Sequence, residues 1–353
     1  MKALVSGESG DYHVAEDVDV PSPGPGMILC RVHAVSLNPV DQKIIDYSNN
    51  PGAVGGFDLA GIVVQIGEGV ERFKAGDRVL AVTFGLNPSD RTAGAFAEYA
   101  LATVDLSCHI PETLSFVQAC SMGLSIITAG LALFQAPGLR LSMPRLDTVT
   151  GEGAGAFVLV SGGATSTGTM ATQFLKIFGY TPIVTCSPAN NNLCESFGAT
   201  ACFDYHSSTC GADIREHTGN TLTNVFDCVT SAATMKMCYE AIGSSGGTYI
   251  TLEPVTTAVK YTRRDVHADW IMAHSALGVP LELPGTFGRP RIPEHRQFGA
   301  LWFGLIEKLL HEEKIRNHPL EVREGGLSQI PLGLEAFSNG SVRARKLVVP
   351  IVA

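Results

Sequence analysis

The residues from Phe157 to Pro188 carry the pattern with the clearest chemical meaning in this chain. An apolar run at 157–160 is typical of a strand buried on both faces of a parallel sheet. Small residues follow at 162–168, and apolar residues at helical spacing then extend to Gly179. The free N–H groups and the dipole of a helix N-terminus favour an anion. The pattern predicts a strand, a turn, a helix and a second strand that bind the pyrophosphate of a dinucleotide.

The turn departs from the G-x-G-x-x-G fingerprint, so a small-residue turn without a ligand is the alternative. The end of the second strand supports a cofactor site. An NAD-specific site usually places a carboxylate there, whereas this chain has Cys186, Ser187 and Pro188. Ser187 can donate a hydrogen bond to a 2′-phosphate, and we therefore predict NADPH rather than NADH. Glu195 and the lack of a nearby Arg or Lys weigh against this preference, and Ser187-Pro188 is also a common helix start.

Composition narrows the class of protein. The 353 residues are 45% hydrophobic and 17% charged, which is enough for two sizeable cores. A net charge of −9 argues against nucleic-acid binding, which needs a basic surface. We find no 18-residue apolar span and no N-terminal leader pattern, and we expect a cytoplasmic protein that does not bind membranes.

Four of the nine cysteines recur at eight-residue intervals: Cys186, Cys194, Cys202 and Cys210. This spacing matches no zinc ribbon. We expect the four side chains to lie apart, on successive strand ends and helices, and to be free thiols of a reducing compartment. The sequence therefore predicts no metal site.

The order of patterns predicts an α/β fold. Short strands separated by Gly and Pro fill the first hundred residues, and helical spacing begins near residue 115. Strands and helices then alternate from residue 157 to residue 251, which is typical of a doubly wound parallel sheet. We expect a β-rich domain over 1–125, a nucleotide-binding domain over 126–290, and a return to the first domain over 291–353.

Three segments give the chain a family resemblance. Residues 38–43, 55–61 and 70–82 resemble the N-terminal domain of the medium-chain dehydrogenases/reductases. The resemblance implies a GroES-like catalytic domain built from both ends of the chain, with a Rossmann domain between them. The zinc-dependent branch has Gly-His-Glu where this chain has Gly56-Phe57-Asp58, and a cysteine-rich lobe where it has 85–94. Phe57 cannot bind zinc, so the resemblance is to the zinc-free enoyl and quinone reductases.

Within that branch the chain is more similar to the fungal trans-acting enoyl reductases of highly reducing polyketide synthases, of the lovastatin type. The segments that carry this likeness are 128–132, 161–167, 186–188, 203–205, 287–290, 296–299, 318–320 and 346–349. The resemblance implies NADPH-dependent reduction of the α,β double bond of a carrier-bound polyketide thioester in secondary metabolism. The implied partner is the acyl carrier protein of a polyketide synthase, with or without a fused peptide synthetase, and we expect a monomer.

The resemblance also implies which residues form the site. The cofactor would contact residues of both domains: Val40, Asp41, Gln42, Lys43, Ala164, Thr165, Ser166, Thr167, Ser187, Pro188, Ala189, Asn190, Tyr205, Leu252, Glu253 and Lys346. The substrate would lie against two segments: Ala129, Gly130, Leu131, Ala132, Leu133, Phe134, Gln135 and Ala136, and Ala273, His274, Ser275, Ala276 and Leu277. Lys43 and Thr128 are the candidate catalytic residues, and no general acid is evident.

Two other functions remain open at this point. A quinone or small-enone reductase acting on free substrates would use the same cofactor site. A non-catalytic partner that binds NADPH and serves a synthase is the third possibility, and Lys43 favours catalysis over it.

Overall fold

The computed structural model describes residues 1–8, 10–48, 50–143 and 155–351. The chain divides into two compact units, which we call unit 1 (Met1–Leu124 with His274–Ala353) and unit 2 (Ser125–Ala273). Both ends of the chain therefore contribute to unit 1.

Residues 274–290, which we expected in the nucleotide domain, group with unit 1. Local contacts account for this placement. Ser89 donates a hydrogen bond to Glu282 at 2.8 Å, and the rings of Tyr47 and Phe287 stack with their centroids 4.8 Å apart. The segment is thereby held to residues of unit 1.

The strands, in chain order, are β1 (Ala3–Ser6), β2 (Tyr12–Ala15), β3 (Met27–Ser36), β4 (Asp58–Ile66), β5 (Arg78–Val82), β6 (Tyr99–Thr103), β7 (Ser107–His109), β8 (Phe157–Ser161), β9 (Thr181–Cys186), β10 (Ala201–Asp204), β11 (Asn224–Asp227), β12 (Gly247–Thr251), β13 (Val266–Trp270), β14 (Leu320–Val322) and β15 (Lys346–Pro350). The α-helices are α1 (Pro39–Lys43), α2 (Phe116–Ala119), α3 (Gly123–Phe134), α4 (Ser166–Ile177), α5 (Asn191–Ser196), α6 (Cys210–His217), α7 (Ala232–Ala241), α8 (Thr257–Lys260), α9 (Pro293–His311) and α10 (Ile330–Ser338).

Unit 1 is built around β3. This strand pairs with β4, β6 and β15, all antiparallel, in a seven-stranded sheet. Apolar residues such as Val35, Leu59 and Leu347 fill its core and are at most 1% exposed. Since β15 comes from the C-terminal end of the chain, the sheet is complete only when both ends are in place.

Unit 2 contains a six-stranded parallel sheet in the order β10-β9-β8-β11-β12-β13. Helices connect successive strands, and the central strands β8 and β9 are almost entirely buried, as covering by helices on both faces requires. The order reverses direction between β8 and β11. In such sheets, ligands bind outside the carboxyl ends of the strands at this switch point.

One segment corrects the expectation that the chain has no long apolar span. Phe116–Phe134 has the length and composition to cross a membrane, and 83% of its 18-residue window is buried inside the protein. It contains α2 and α3 with a turn between them. Core helices of globular proteins have the same composition, and the burial indicates a core segment here.

Candidate active site

The predicted pyrophosphate turn begins directly after β8. Thr165 precedes α4 in an extended conformation and is its N-cap: its Oγ1 accepts a hydrogen bond from Gly168 N at 2.9 Å. The same hydroxyl donates to Gly162 O at 2.8 Å, which closes the turn. The first N–H groups of a helix have no partner within it. An anion outside the carboxyl end of β8 would therefore meet the N-terminus of α4.

The glycines of this turn are required by close packing. A Cβ on Gly163 would lie 2.5 Å from Val184 Cβ, and one on Gly168 would lie 2.3 Å from Gly162 O. Gly162 has a φ of 81°, which side chains disfavour. The departures from the G-x-G-x-x-G fingerprint fall on half-buried positions where small side chains fit.

On the other side of the switch point, Asp227 holds the loop that follows β11 in place. It is fully buried at the carboxyl end of β11, and Tyr249 donates a hydrogen bond to its Oδ2 at 2.8 Å. Its Oδ1 accepts hydrogen bonds from Val229 N at 3.0 Å and Thr230 N at 3.2 Å. The carboxylate thus fixes the loop that contains Val229. This loop packs against Gly162, because a Cβ on Gly162 would lie 2.6 Å from Val229. Sequence analysis did not identify Asp227 as a residue of the site. The available signal was a carboxylate at the end of an apolar strand.

The predicted cofactor residues of unit 2 all follow the carboxyl ends of parallel strands. They come after β8, β9, β10 and β12 and therefore lie along one edge of the sheet: 164–167, 187–190, 205, 252 and 253. Tyr205 is 45% exposed, and its ring centroid lies 4.0 Å from that of His206. Pro188, Ala189 and Glu195 are also exposed.

The cysteines near this edge do not all lie apart as expected. The Sγ atoms of Cys186, Cys194 and Cys202 lie within 4.8 Å of one another. Neighbouring strands and the helix between them bring these three together, which the eight-residue spacing alone does not reveal. Cys210 lies apart in the apolar cluster around Leu159.

A buried carboxylate organises the candidate residues of unit 1. Asp58 is fully buried, and its Oδ2 accepts hydrogen bonds from Ser36 Oγ at 2.9 Å and Asn38 Nδ2 at 2.8 Å. Its Oδ1 accepts one from Leu124 N at 2.6 Å, at the start of α3. Lys346 Nζ lies 3.6 Å from Oδ2 and also donates to Asn38 Oδ1. The charge of Asp58 is therefore paired and hydrogen-bonded, as burial requires.

Strand register creates this network. Ser36 lies opposite Asp58 in the β3–β4 pair and opposite Val348 in the β15–β3 pair. Leu37 N also donates to Leu347 O at 2.9 Å. These pairings bring the first residue of β15, Lys346, to the end of β3. Lys346 is 5% exposed, so its ammonium is part of the interior of unit 1.

Asp41 lies beside this network in α1, and only one of its two carboxyl oxygens is hydrogen-bonded among the described residues. Its Oδ2 accepts a hydrogen bond from Asn38 N at 2.6 Å, whereas its buried Oδ1 has no partner among the described residues. Burial, with a smaller contribution from the charge of Asp58, raises the pKa of Asp41 to about 8 against opposing contributions from Asn38 and Lys346. Asp41 therefore holds a proton at neutral pH. Of its predicted neighbours, Val40 and Gln42 are half-buried and Lys43 is exposed.

Phe57 is packed between aromatic rings. Its ring centroid lies 6.0 Å from that of Phe84 and 4.5 Å from that of His274. His274 is only 6% exposed, and this burial lowers its pKa to about 4. Neither ring nitrogen has a partner among the described residues. The imidazole is therefore neutral, with a free N–H donor and a free acceptor.

The other predicted substrate residues are mostly buried. Positions 129–134 lie in α3 and are at most 9% exposed wherever a side chain is present, while Gln135 and Ala136 are half-buried. Thr128, on the same helix, is 7% exposed. Residues 273–277 form a 3₁₀ helix in which Ser275 Oγ lies 2.6 Å from His295 Nδ1.

Comparisons with known proteins match this architecture. Residues 24–112 match the alcohol dehydrogenase GroES-like domain, and residues 166–252 match the zinc-binding dehydrogenase domain. The chain is 62% identical over 353 residues to a trans-enoyl reductase of Gibberella fujikuroi, with 100% of both chains covered. It is 61% identical over 352 residues to the trans-enoyl reductase grgB of a Penicillium species, covering 100% of this chain and 98% of the other. The structure of mycobacterial Rv1454c complexed with NADPH has a TM-score of 0.74 at 20% identity and 99% coverage of both chains.

The chain belongs to the medium-chain dehydrogenase/reductase family and, within it, to the trans-enoyl reductases. This confirms the family and the α/β fold class that the sequence segments predicted. It is an oxidoreductase whose Rossmann sheet serves a nicotinamide cofactor.

The buried Asp41 gives a pH-dependent prediction. Between its ordinary pKa of 3.8 and about 8, the folded protein holds a proton that the unfolded chain releases. The free energy of unfolding therefore falls as pH rises, by up to about 1.4 kcal/mol per pH unit. Asp41→Asn imitates the neutral carboxyl, so we expect its stability relative to the unsubstituted protein to increase from pH 5 to pH 8. Urea unfolding at several pH values measures this difference.

The control is Asp46→Asn, at a solvent-exposed carboxylate close by in the chain. Its stability difference from the unsubstituted protein should stay constant with pH. A constant difference for Asp41→Asn as well would contradict the assignment of a raised pKa to Asp41.

Proposed function

We propose that this protein reduces the α,β double bond of a polyketide thioester carried by the acyl carrier protein of a polyketide synthase, with NADPH as reductant. The observation that carries the proposal is the 62% identity over the whole chain to a trans-enoyl reductase. The partner synthase is inferred from the trans designation of the relatives.

The turn at the N-terminus of α4 would hold the pyrophosphate of the cofactor. Thr165 keeps the turn closed through its own hydrogen bonds, so the helix N–H groups beyond it are left for the ligand. The glycines hold β8, β9 and α4 at close distance. When bound, NADPH supplies the hydride that is transferred to the β-carbon of the substrate.

The choice of NADPH over NADH rests on the end of β9. The hydroxyl of Ser187 can donate to a 2′-phosphate, and residues 186–190 contain no carboxylate that would repel one. Asp204 lies opposite Cys186 on the next strand, but its Oδ1 is 2.7 Å from His206 Nδ1. The Asp204 carboxylate therefore already has a contact within its own turn. Tyr205 is exposed between these residues and can cover the adenosine ribose.

Hydride addition to the β-carbon places negative charge on the thioester oxygen, and a fixed donor stabilises it. Lys43 is our candidate, because it ends α1 with an exposed side chain. Thr128 is the candidate for orienting the nicotinamide amide. His274 lies in the predicted substrate segment and offers a neutral N–H donor without a competing partner among the described residues. The proton for the α-carbon comes from water.

The reaction in this proposal does not use zinc. Phe57 stands where the zinc-dependent branch has histidine, and it is fully buried against other rings. Asp58 stands where that branch has glutamate, and its oxygens accept three hydrogen bonds and face Lys346. Neither side chain is suited to a catalytic ion.

We also propose that the enzyme works in the cytoplasm as a monomer. Edge strand β13 pairs only with β12 among the described strands. The segment that follows it contains Pro280 and Pro284, which disfavour a further strand there that could pair with a second copy. Sedimentation velocity should show one species at the mass of a single 37.3 kDa chain. A species of twice that mass at micromolar concentration would contradict the proposal.

The function is tested with NADPH and crotonyl- or longer enoyl-pantetheine. We expect steady oxidation of NADPH and a saturated thioester product, and no turnover of simple quinones. Lys43→Met should lower kcat about 100-fold, because the developing oxyanion loses a donor. Lys74→Met, at an exposed turn lysine, is the matched control and should keep the original rate.

The rival functions give different results in the same assay. Comparable rates with quinones or small free enones would indicate the free-substrate reductase. Binding of NADPH without turnover of any substrate would indicate the non-catalytic partner.

Cofactor preference is tested with Ser187→Asp. A carboxylate at this position would repel the 2′-phosphate, so we expect the KM for NADPH to rise roughly tenfold or more while that for NADH does not rise. The control Ser245→Asp places the same charge at an exposed residue before β12, on the amino edge of the sheet. An equal loss of affinity for both cofactors in Ser187→Asp would refute the role of Ser187.

A further inference from the structure

Three thiols converge in unit 2. Cys186 ends β9, Cys194 lies in α5, and Cys202 is the second residue of β10. Their Sγ atoms all lie within 4.8 Å of one another, although the residues are spread over 17 positions of the chain. Cys186 is 2% exposed and Cys194 is 1% exposed, while Cys202 is half-buried.

Strand register explains the convergence. Cys202 lies opposite Val184 in the parallel β9–β10 pair. Side chains two residues apart in a strand share a face, so Cys186 is on the same face of the sheet as Cys202. Helix α5 connects the two strands and brings Cys194 to that face. The cluster is therefore a product of one strand-helix-strand unit.

The spacing suits a single soft cation. Thiolates around a tetrahedral ion at about 2.3 Å lie roughly 3.8 Å from one another, so the three sulfur atoms need to move by only about 1 Å. A disulfide would join two of the three thiols and leave the third unbonded, whereas one ion can bind all three. Asn191 adds oxygen atoms nearby: its Oδ1 is 3.3 Å from Cys186 Sγ, and its carbonyl O is 3.8 Å from Cys202 Sγ. Three sulfurs and one oxygen are a donor set that closed-shell thiophilic cations accept.

We propose that Cys186, Cys194 and Cys202 form a binding site for one thiophilic closed-shell cation of the Zn²⁺ class. This site is separate from the Phe57 and Asp58 position of unit 1, and it takes no part in hydride transfer. Its first two ligands bracket residues 187–193, which include the proposed 2′-phosphate contacts. A bound ion would fix both ends of residues 187–193. Its effect on cofactor binding rests on the proposed function, whereas the metal site itself does not.

The site is tested with Co²⁺ as the probe, added to reduced, metal-free, full-length protein without cofactor. We expect sulfur-to-cobalt charge-transfer absorption that saturates at one equivalent and is abolished by added Zn²⁺. Cys202→Ser should weaken Co²⁺ binding at least about tenfold. Cys210→Ser is the matched control, since Cys210 is a buried cysteine of the same unit outside the cluster, and it should bind Co²⁺ normally.

Several results would overturn the proposal. These are the absence of charge-transfer absorption at a tenfold excess of Co²⁺, and absorption that is unchanged in both Cys202→Ser and Cys194→Ser. A disulfide within the cluster in protein purified under reducing conditions would do the same. Circular dichroism checks that each variant is folded. The readout needs neither NADPH nor substrate, so failure of the metal site and failure of the enoyl reductase proposal are distinguishable.

Discussion

The paired burial of Asp58 and Lys346 is the constraint on which unit 1 depends. A carboxylate without exposure to water is costly unless it is hydrogen-bonded and matched by opposite charge. Asp58 accepts hydrogen bonds from β3, from the loop before α1 and from the start of α3. The opposite charge comes from Lys346 in β15. Removing any one of these partners would leave a buried charge incompletely paired. The network thereby makes the position of α1, and of Lys43 at its end, depend on both chain ends.

Local patterns were enough to predict the fold class and the strand, turn and helix that run from β8 into α4. The apolar run of β8, the small-residue turn and the helical spacing of α4 are contiguous in sequence, and their geometry follows from rules of adjacent residues. Phe57 was equally informative, since its chemistry excludes a ligand role whatever surrounds it. These inferences needed no knowledge of which strands pair.

The interactions that sequence analysis missed depend on register between distant segments. Asp58 and Lys346 are separated by most of the chain, and only the pairing of β15 with β3 and β3 with β4 brings them together. Asp227 gains its role from Tyr249 on the neighbouring strand. The three clustered cysteines depend on the alignment of β9 with β10, without which eight-residue spacing suggests separation. The membrane-length segment at 116–134 was misjudged because composition alone does not distinguish a core helix from a membrane span.

The placement of β15 also has a consequence for how the protein is made. Unit 2 is one continuous segment, so all of its residues have been synthesised once residue 273 has been added. Unit 1 begins earlier but lacks an interior strand, and the cation for Asp58, until residues 346–350 arrive. Domains generally fold as units during synthesis, and long-range strand pairing is slow. The nucleotide-binding unit is therefore the first to mature, while the N-terminal part of the catalytic unit waits, with residues 34–36 of β3 lacking their β15 partner, until residues 346–350 have been synthesised.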